Sequence, residues 1–147
     1  RWQDFEGRRF PVLSLKHTKI TGYIGCGVAT MWTTLPFVEQ YPNMNKRCYL
    51  VQNYETDFYE EGDPLRVRAN RTYMPYNHVK FLTISRWCQS WLKKEYGQDA
   101  LYAPNGLETE CFPVRKGSMD GKIRILIEGD CAVDYKNVDE SFRLRIV

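Results

Sequence analysis

The stretch Gln52-Asn53-Tyr54-Glu55 sets two amides, an aromatic ring and a carboxylate side by side, directly after the apolar run Cys48-Tyr49-Leu50-Val51. Planar amides and carboxylates hydrogen-bond pairs of hydroxyls, and an aromatic face covers a sugar ring, so these types in this order suit carbohydrate binding. Taken alone, a polar loop of solvated acids is the simpler reading, because acids continue through Asp57, Glu60, Glu61 and Asp63. Ser85 stands before a helical pattern, where its hydroxyl caps the first turn and the free N–H groups suit an anion; the two roles are compatible. Pro104-Asn105-Gly106 is a turn signal that admits positive φ. Lys136-Asn137 precedes a second helical pattern, where a lysine and exposed N–H groups suit a diphosphate, although spacing alone favours a plain surface lysine.

Other arrangements are excluded. Gly22, Gly25 and Gly27 fall short of G-x-G-x-x-G because Thr30 takes the last position, and they lie in or before an apolar run; close backbone packing accounts for them better. His17 and His78 are the only histidines, and Cys26, Cys48, Cys88, Cys111 and Cys131 include no C-x-x-C pair. A histidine-built metal site, a zinc ribbon and a disulfide framework are therefore not expected; buried free thiols in a reducing cytoplasm are. No Ser/His/Asp set and no acid–base pair of carboxylates emerges.

The 147 residues suffice for one ordinary domain with a sizeable core. Their net charge of +3, from 21 basic and 18 acidic residues, is too small and too evenly spread to make nucleic acid the main partner. The 14% aromatic content suits a packed core or a stacking surface. No run approaches the roughly 20 apolar residues of a membrane span, and no signal-peptide pattern opens the chain. The chain opens on Arg1-Trp2-Gln3 and closes on Arg145-Ile146-Val147 inside an apolar-periodic stretch; both ends read as cut.

These residues need elements to position them. Residues 1–22 read as irregular, with Phe10–Leu15 a weak strand candidate. Strands are expected at 23–30, 47–52, 79–84, 100–103 and 122–128. A helix follows Thr33 and Thr34, either of which can cap it, with Pro36 in its first turn and Pro42-Asn43 past its end. A weak helix covers 67–73. The clearest helix runs from Arg86 to Tyr96, with Trp87, Cys88, Trp91, Leu92 and Tyr96 on one face and Gly97 as its stop. Asn137-Val138-Asp139-Glu140 has capping-box form and opens a last helix. Strands alternating with helices predict an α/β fold with a parallel, right-handed, doubly wound sheet. Ligands of such sheets sit at the carboxyl ends of the strands, which nominates the loops Thr30–Thr34, Gln52–Phe58, Ser85-Arg86 and Pro104–Glu108.

Three segments, in order and at matching spacing, resemble the GT-B glycosyltransferases of retaining family 4. Tyr49-Leu50-Val51-Gln52-Asn53-Tyr54-Glu55 is similar to a strand with a Q-x-Y-E loop. Phe81 to Gly97, continuing into Pro104-Asn105-Gly106-Leu107-Glu108, is similar to the S-x-W, helix, Y-G segment and the P-N-G turn that closes the N-terminal domain. Ile123 to Phe142 is similar to the opening of the C-terminal domain, with Tyr135-Lys136-Asn137-Val138 where the family usually has K-G-V. The nearest likeness is to enzymes of bacterial surface polysaccharide synthesis.

The resemblance implies a Rossmann-like partial GT-B: residues 1–114 from the acceptor-side N-terminal domain, 115–121 a linker, and 122–147 the start of the nucleotide-sugar-binding domain. It implies a sugar passed from a nucleotide-sugar donor to a glycan or lipid-linked acceptor, with no metal or other cofactor. Gln52, Tyr54, Glu55, Ser85, Asn105 and Gly106 would face the cleft from the acceptor side, with Thr33 counted among them, and Lys136 would contact donor phosphate. It also implies a cytoplasmic enzyme, peripheral to the inner face of the membrane. Two departures stand out. Gly129 is followed by Asp130 where the family often has arginine, which leaves Lys136 alone in the diphosphate clamp, and the family's later E-x7-E segment is absent because the chain ends first. A fragment of this kind is expected to be inactive alone and prone to self-association. The alternative is a non-catalytic carbohydrate- or nucleotide-binding α/β module, which should pack residues 122–147 onto the same sheet; an RNA-associated Rossmann-like domain is a distant third.

Overall fold

The fold is described from a computed structural model, for residues 13–14, 17, 19–112, 121, 125–132 and 137–143. The chain divides into two units, Arg1–Gly106 and Leu107–Val147.

The first unit is built from parallel β-α-β steps. β1 (Ile24–Ala29) leads through a turn to α1 (Leu35–Gln40), which has Pro36 in its first turn, where the missing N–H is no loss. β2 (Met44–Val51) ends in a 3-10 helix at Glu55–Phe58, followed by α2 (Pro64–Arg71). Asp63 caps α2 by accepting the Leu65 N–H. β3 (Lys80–Thr83), α3 (Arg86–Tyr96) and β4 (Ala100–Tyr102) complete the unit. α3 has the bounds its apolar stripe predicts. The Ser85 hydroxyl accepts the Cys88 N–H at 3.0 Å, and Gly97 takes φ 67°, so that Gln98 N–H closes back on the Leu92 carbonyl.

The four strands pair in chain order, β1-β2-β3-β4, all parallel. The α/β class and the parallel sheet are as the alternating pattern predicts. The reversal of direction that defines double winding does not occur within these four strands. Right-handed crossovers in a sheet that grows one way place every connecting helix on the same face. Packing agrees: Leu35 and Val38 of α1, Tyr73 after α2 and Leu92 of α3 join one cluster with Ala29, Tyr49, Val51 and Phe81. Register puts the alternate residues Val28, Cys48, Leu50, Leu82 and Leu101 on the other face, where Val28 is 47% and Leu101 63% exposed.

Gly27 marks a close approach, since a Cβ there would lie 2.4 Å from the sulfur of buried Met44. β2 begins at Met44, earlier than expected, because the exposed Asn45 and Lys46 that follow Met44 conceal the strand while β1 supplies the ladder.

In the second unit α4 (Val138–Arg143) follows Asn137 as the capping pattern suggests, but Asn137 itself takes φ 51° and its carbonyl, 3.2 Å away, accepts the Ser141 N–H. The strand expected at 122–128 is not found in residues 125–128, where Ile125 is 62% and Leu126 90% exposed; 122–124 lie outside the described residues. No strand among the described residues offers them a ladder partner, and apolar content alone does not make a strand. Of the weak 10–15 candidate, Leu13 and Ser14 are irregular and the rest lies outside the described residues.

Candidate functional site

The carboxyl ends of four parallel strands lie along one edge of the sheet, and the loops leaving them carry most of the residues whose types suggest chemistry. The first loop is tied by Thr34, whose hydroxyl donates to the Met31 carbonyl at 2.7 Å and accepts the Thr30 and Met31 N–H groups. That work takes the place of a cap on α1. Thr33 stays exposed beside it. Gln52, at the end of β2, donates through Nε2 to the Thr30 carbonyl at 3.2 Å. The first two loops are thus joined while Gln52 remains exposed.

Glu55 makes a second tie. It is only 4% exposed, and its Oε2 accepts the Trp32 N–H at 2.6 Å and the Tyr49 hydroxyl at 3.0 Å. Its own N–H donates to the Tyr73 hydroxyl at 2.9 Å. Desolvation raises the carboxyl above its ordinary pKa, and the two donated hydrogen bonds oppose that rise. Glu55 therefore holds the β1 and β2 loops together from inside, and its carboxylate is already occupied.

Tyr54 is half-buried in an aromatic group centred on Tyr73. Its ring lies parallel to Tyr73 at 5.7 Å and edge-on to Trp91 at 5.0 Å. Its hydroxyl lies 2.9 Å from that of Tyr96, and both approach Asn70 Oδ1. Burial, followed by the neighbouring Tyr54, raises the Tyr96 phenol. Tyr54 is thus held by its ring contacts and its shared hydroxyl rather than standing free at the edge.

Ser85 is the cap of α3, with its hydroxyl committed to Cys88. Beside it, Arg86 projects from the first turn of α3 with its guanidinium 4.0 Å from the ring centre of Tyr102 on β4, and one of its nitrogens donates to Gln89 Oε1 at 2.9 Å. Arg86 is a cation at the carboxyl edge that residue types did not single out. The stacking partner is on the next strand, and only the strand register reveals the pair. Asn105 and Gly106 are exposed past β4, where Ala103 N–H still bonds the Thr83 carbonyl at 2.8 Å. Lys136 lies outside the described residues.

The edge therefore brings together Thr33, Gln52, Arg86 and Asn105 as open polar groups, with Tyr54, Glu55 and Ser85 engaged beneath them. Two of its carboxylates are engaged: Glu55 internally, and Asp57 in an ion pair with Arg66 at 3.0 Å. Amides, a hydroxyl and a guanidinium bind and orient hydroxyl-rich or anionic ligands. Among the described residues no group of three or more His, Cys, Asp or Glu side chains is placed to hold a metal ion, and no helix is long and apolar enough to cross a membrane. No family model, curated protein or solved structure matches the chain.

Proposed function

We propose that this chain is the acceptor-side part of a GT-B glycosyltransferase resembling retaining family 4, joined to the opening of its nucleotide-sugar-binding domain. One observation carries the reading beyond the motifs. Four parallel strands in chain order align their carboxyl ends into one edge whose loops offer exposed amides, a hydroxyl and a guanidinium for binding. Doubly wound sheets of strand order 3-2-1-4-5-6 carry a shorter run of this kind, three strands, as their second half, and their ligands bind at the carboxyl ends where the order reverses.

In this reading Thr33, Gln52, Asn105 and Gly106 contact a glycan or lipid-linked acceptor, Arg86 stands beside them, and Glu55, Tyr54 and Ser85 fix the loops. Lys136 contacts the donor diphosphate. Transfer passes through an oxocarbenium-like state with a departing diphosphate, so the protein's task is to place the acceptor hydroxyl and offset the leaving charge. This chain supplies the first of these in part. The whole enzyme acts without a metal, in the cytoplasm at the inner face of the membrane, in surface polysaccharide synthesis.

The test is a nuclear magnetic resonance titration of residues 1–147 with bacterial surface oligosaccharides, alongside an activity assay with a panel of nucleotide sugars. Shifts at Thr33, Gln52 and Asn105, at least tenfold weaker binding for Gln52→Ala, and no turnover are expected. Turnover by the chain alone, or glycan binding indifferent to Gln52 and Asn105, defeats the proposal.

A further inference from the structure

A cavity of about 430 Å³ opens on the helix-bearing side, between α1 and the end of α2, and no residue assigned above to the acceptor or donor lines it. Its apolar wall is Leu35, Pro36, Met74 and Pro75. Arg68 and Arg71, one turn apart on α2, both line it. Each guanidinium lies over an aromatic ring that also lines it: Arg68 5.8 Å from the centre of Trp32, and Arg71 4.9 Å from that of Tyr76. Stacking restricts both forks without using their N–H donors.

The charges in the cavity do not cancel. Its one acid, Glu39, is taken up by the main chain: Oε1 accepts the N–H groups of Tyr76 and of Asn77, the latter at 3.1 Å, and the Asn77 amide donates to the Glu39 carbonyl at 2.9 Å. Among the described residues the ion pairs involve Arg66, Lys93 and Lys94, and neither Arg68 nor Arg71. Both arginines also sit in the last turn of α2, where they offset the helix dipole. The Glu39 carboxylate counts one negative charge and that dipole about half of another, so two guanidinium charges still leave a small positive excess in the cavity.

We infer that this cavity is a second ligand site, for a phosphate monoester whose ester group is apolar or ring-bearing. The phosphate bridges Arg68 and Arg71, since a guanidinium fork matches phosphate oxygens two at a time, and the ester group lies on Leu35, Pro36 and Met74. The volume suits a small molecule or the head of a phospholipid. The site does not depend on glycosyl transfer.

Calorimetric titration of the full chain tests it in two arms: phenyl phosphate in solution, and phosphatidylcholine vesicles containing phosphatidic acid. Saturable binding is expected in at least one arm. Arg68→Gln and Arg71→Gln should each weaken it about tenfold, the usual loss with one charge-assisted contact, and the double variant should abolish it. Arg71→Lys should recover part of the loss. Both side chains are exposed, so the variants should stay folded, with melting lowered by no more than the lost stacking and helix-end charge allow. Binding of phenyl phosphate assigns a free phosphate ester, and binding of the vesicles alone assigns a lipid head group. No saturable binding in either arm, or undiminished binding by the double variant, overturns the site.

Discussion

At the scale of single residues, Glu55 shows how a side chain suited to ligand contact can serve the fold instead. Residue type and position after a strand point to the edge, but the distant partners Trp32 and Tyr49 take the carboxylate inside, and no spacing rule links 32, 49 and 55. Glu55→Ala should therefore destabilise the chain by about 3 kcal/mol, because it strands a backbone N–H and a hydroxyl in the interior. Denaturant titration measures this. The carboxyl also carries a pH signature. Its folded pKa is raised above the ordinary 4.5, so the folded state holds the proton more tightly than the unfolded state does. That contribution is complete below the unfolded value and is lost as pH rises through the folded one. Across that window wild-type stability should fall with rising pH relative to Glu55→Gln. A difference between the two that does not change with pH contradicts the assignment.

Elements were legible where one residue type has one job. Ser85 and Gly97 bracket α3, and the structure gives that helix the bounds its pattern predicts, because cap and stop are local chemistry. Ser85→Ala should cost about 1 kcal/mol through the lost cap. Gly97→Ala should cost about 1 kcal/mol by forcing a side chain into the left-handed region. Thermal melts of both variants check these, and a Gly97→Ala protein as stable as wild type would mean that the turn relaxes out of that conformation. Legibility failed where a partner decides. Ile125-Leu126-Ile127 reads as a strand by composition, yet residues 125–128 have no ladder among the described residues. Asn45 and Lys46 read as loop yet extend β2, because β1 lies alongside. The Arg86–Tyr102 stack and the paired arginines of α2 were hidden for the same reason, since each needs an aromatic ring from another element.

For the whole molecule, the alternation of strands and helices identified α/β and a parallel sheet, but not the order of the strands, which local pattern does not encode. The observed order leaves one sheet face with Val28, Leu82 and Leu101 in partial contact with solvent. Apolar surface of that kind drives association. The chain should self-associate as its concentration rises, and Val28→Lys with Leu101→Lys should shift it toward monomer without lowering its melting temperature. Sedimentation velocity decides, and a wild-type chain that stays monomeric throughout removes the face as an interface. The same order has a metric consequence at the other end of the strands. Neighbouring strands are about 4.8 Å apart, so the row of carboxyl ends from Ala29 to Tyr102 is about 14 Å long, and position along it follows position in the chain. A compact ligand on that row reaches two adjacent loops, and a longer one recruits the next loop in sequence. The edge thus works as a ruler, on which the reach of a ligand sets how many of its loops take part.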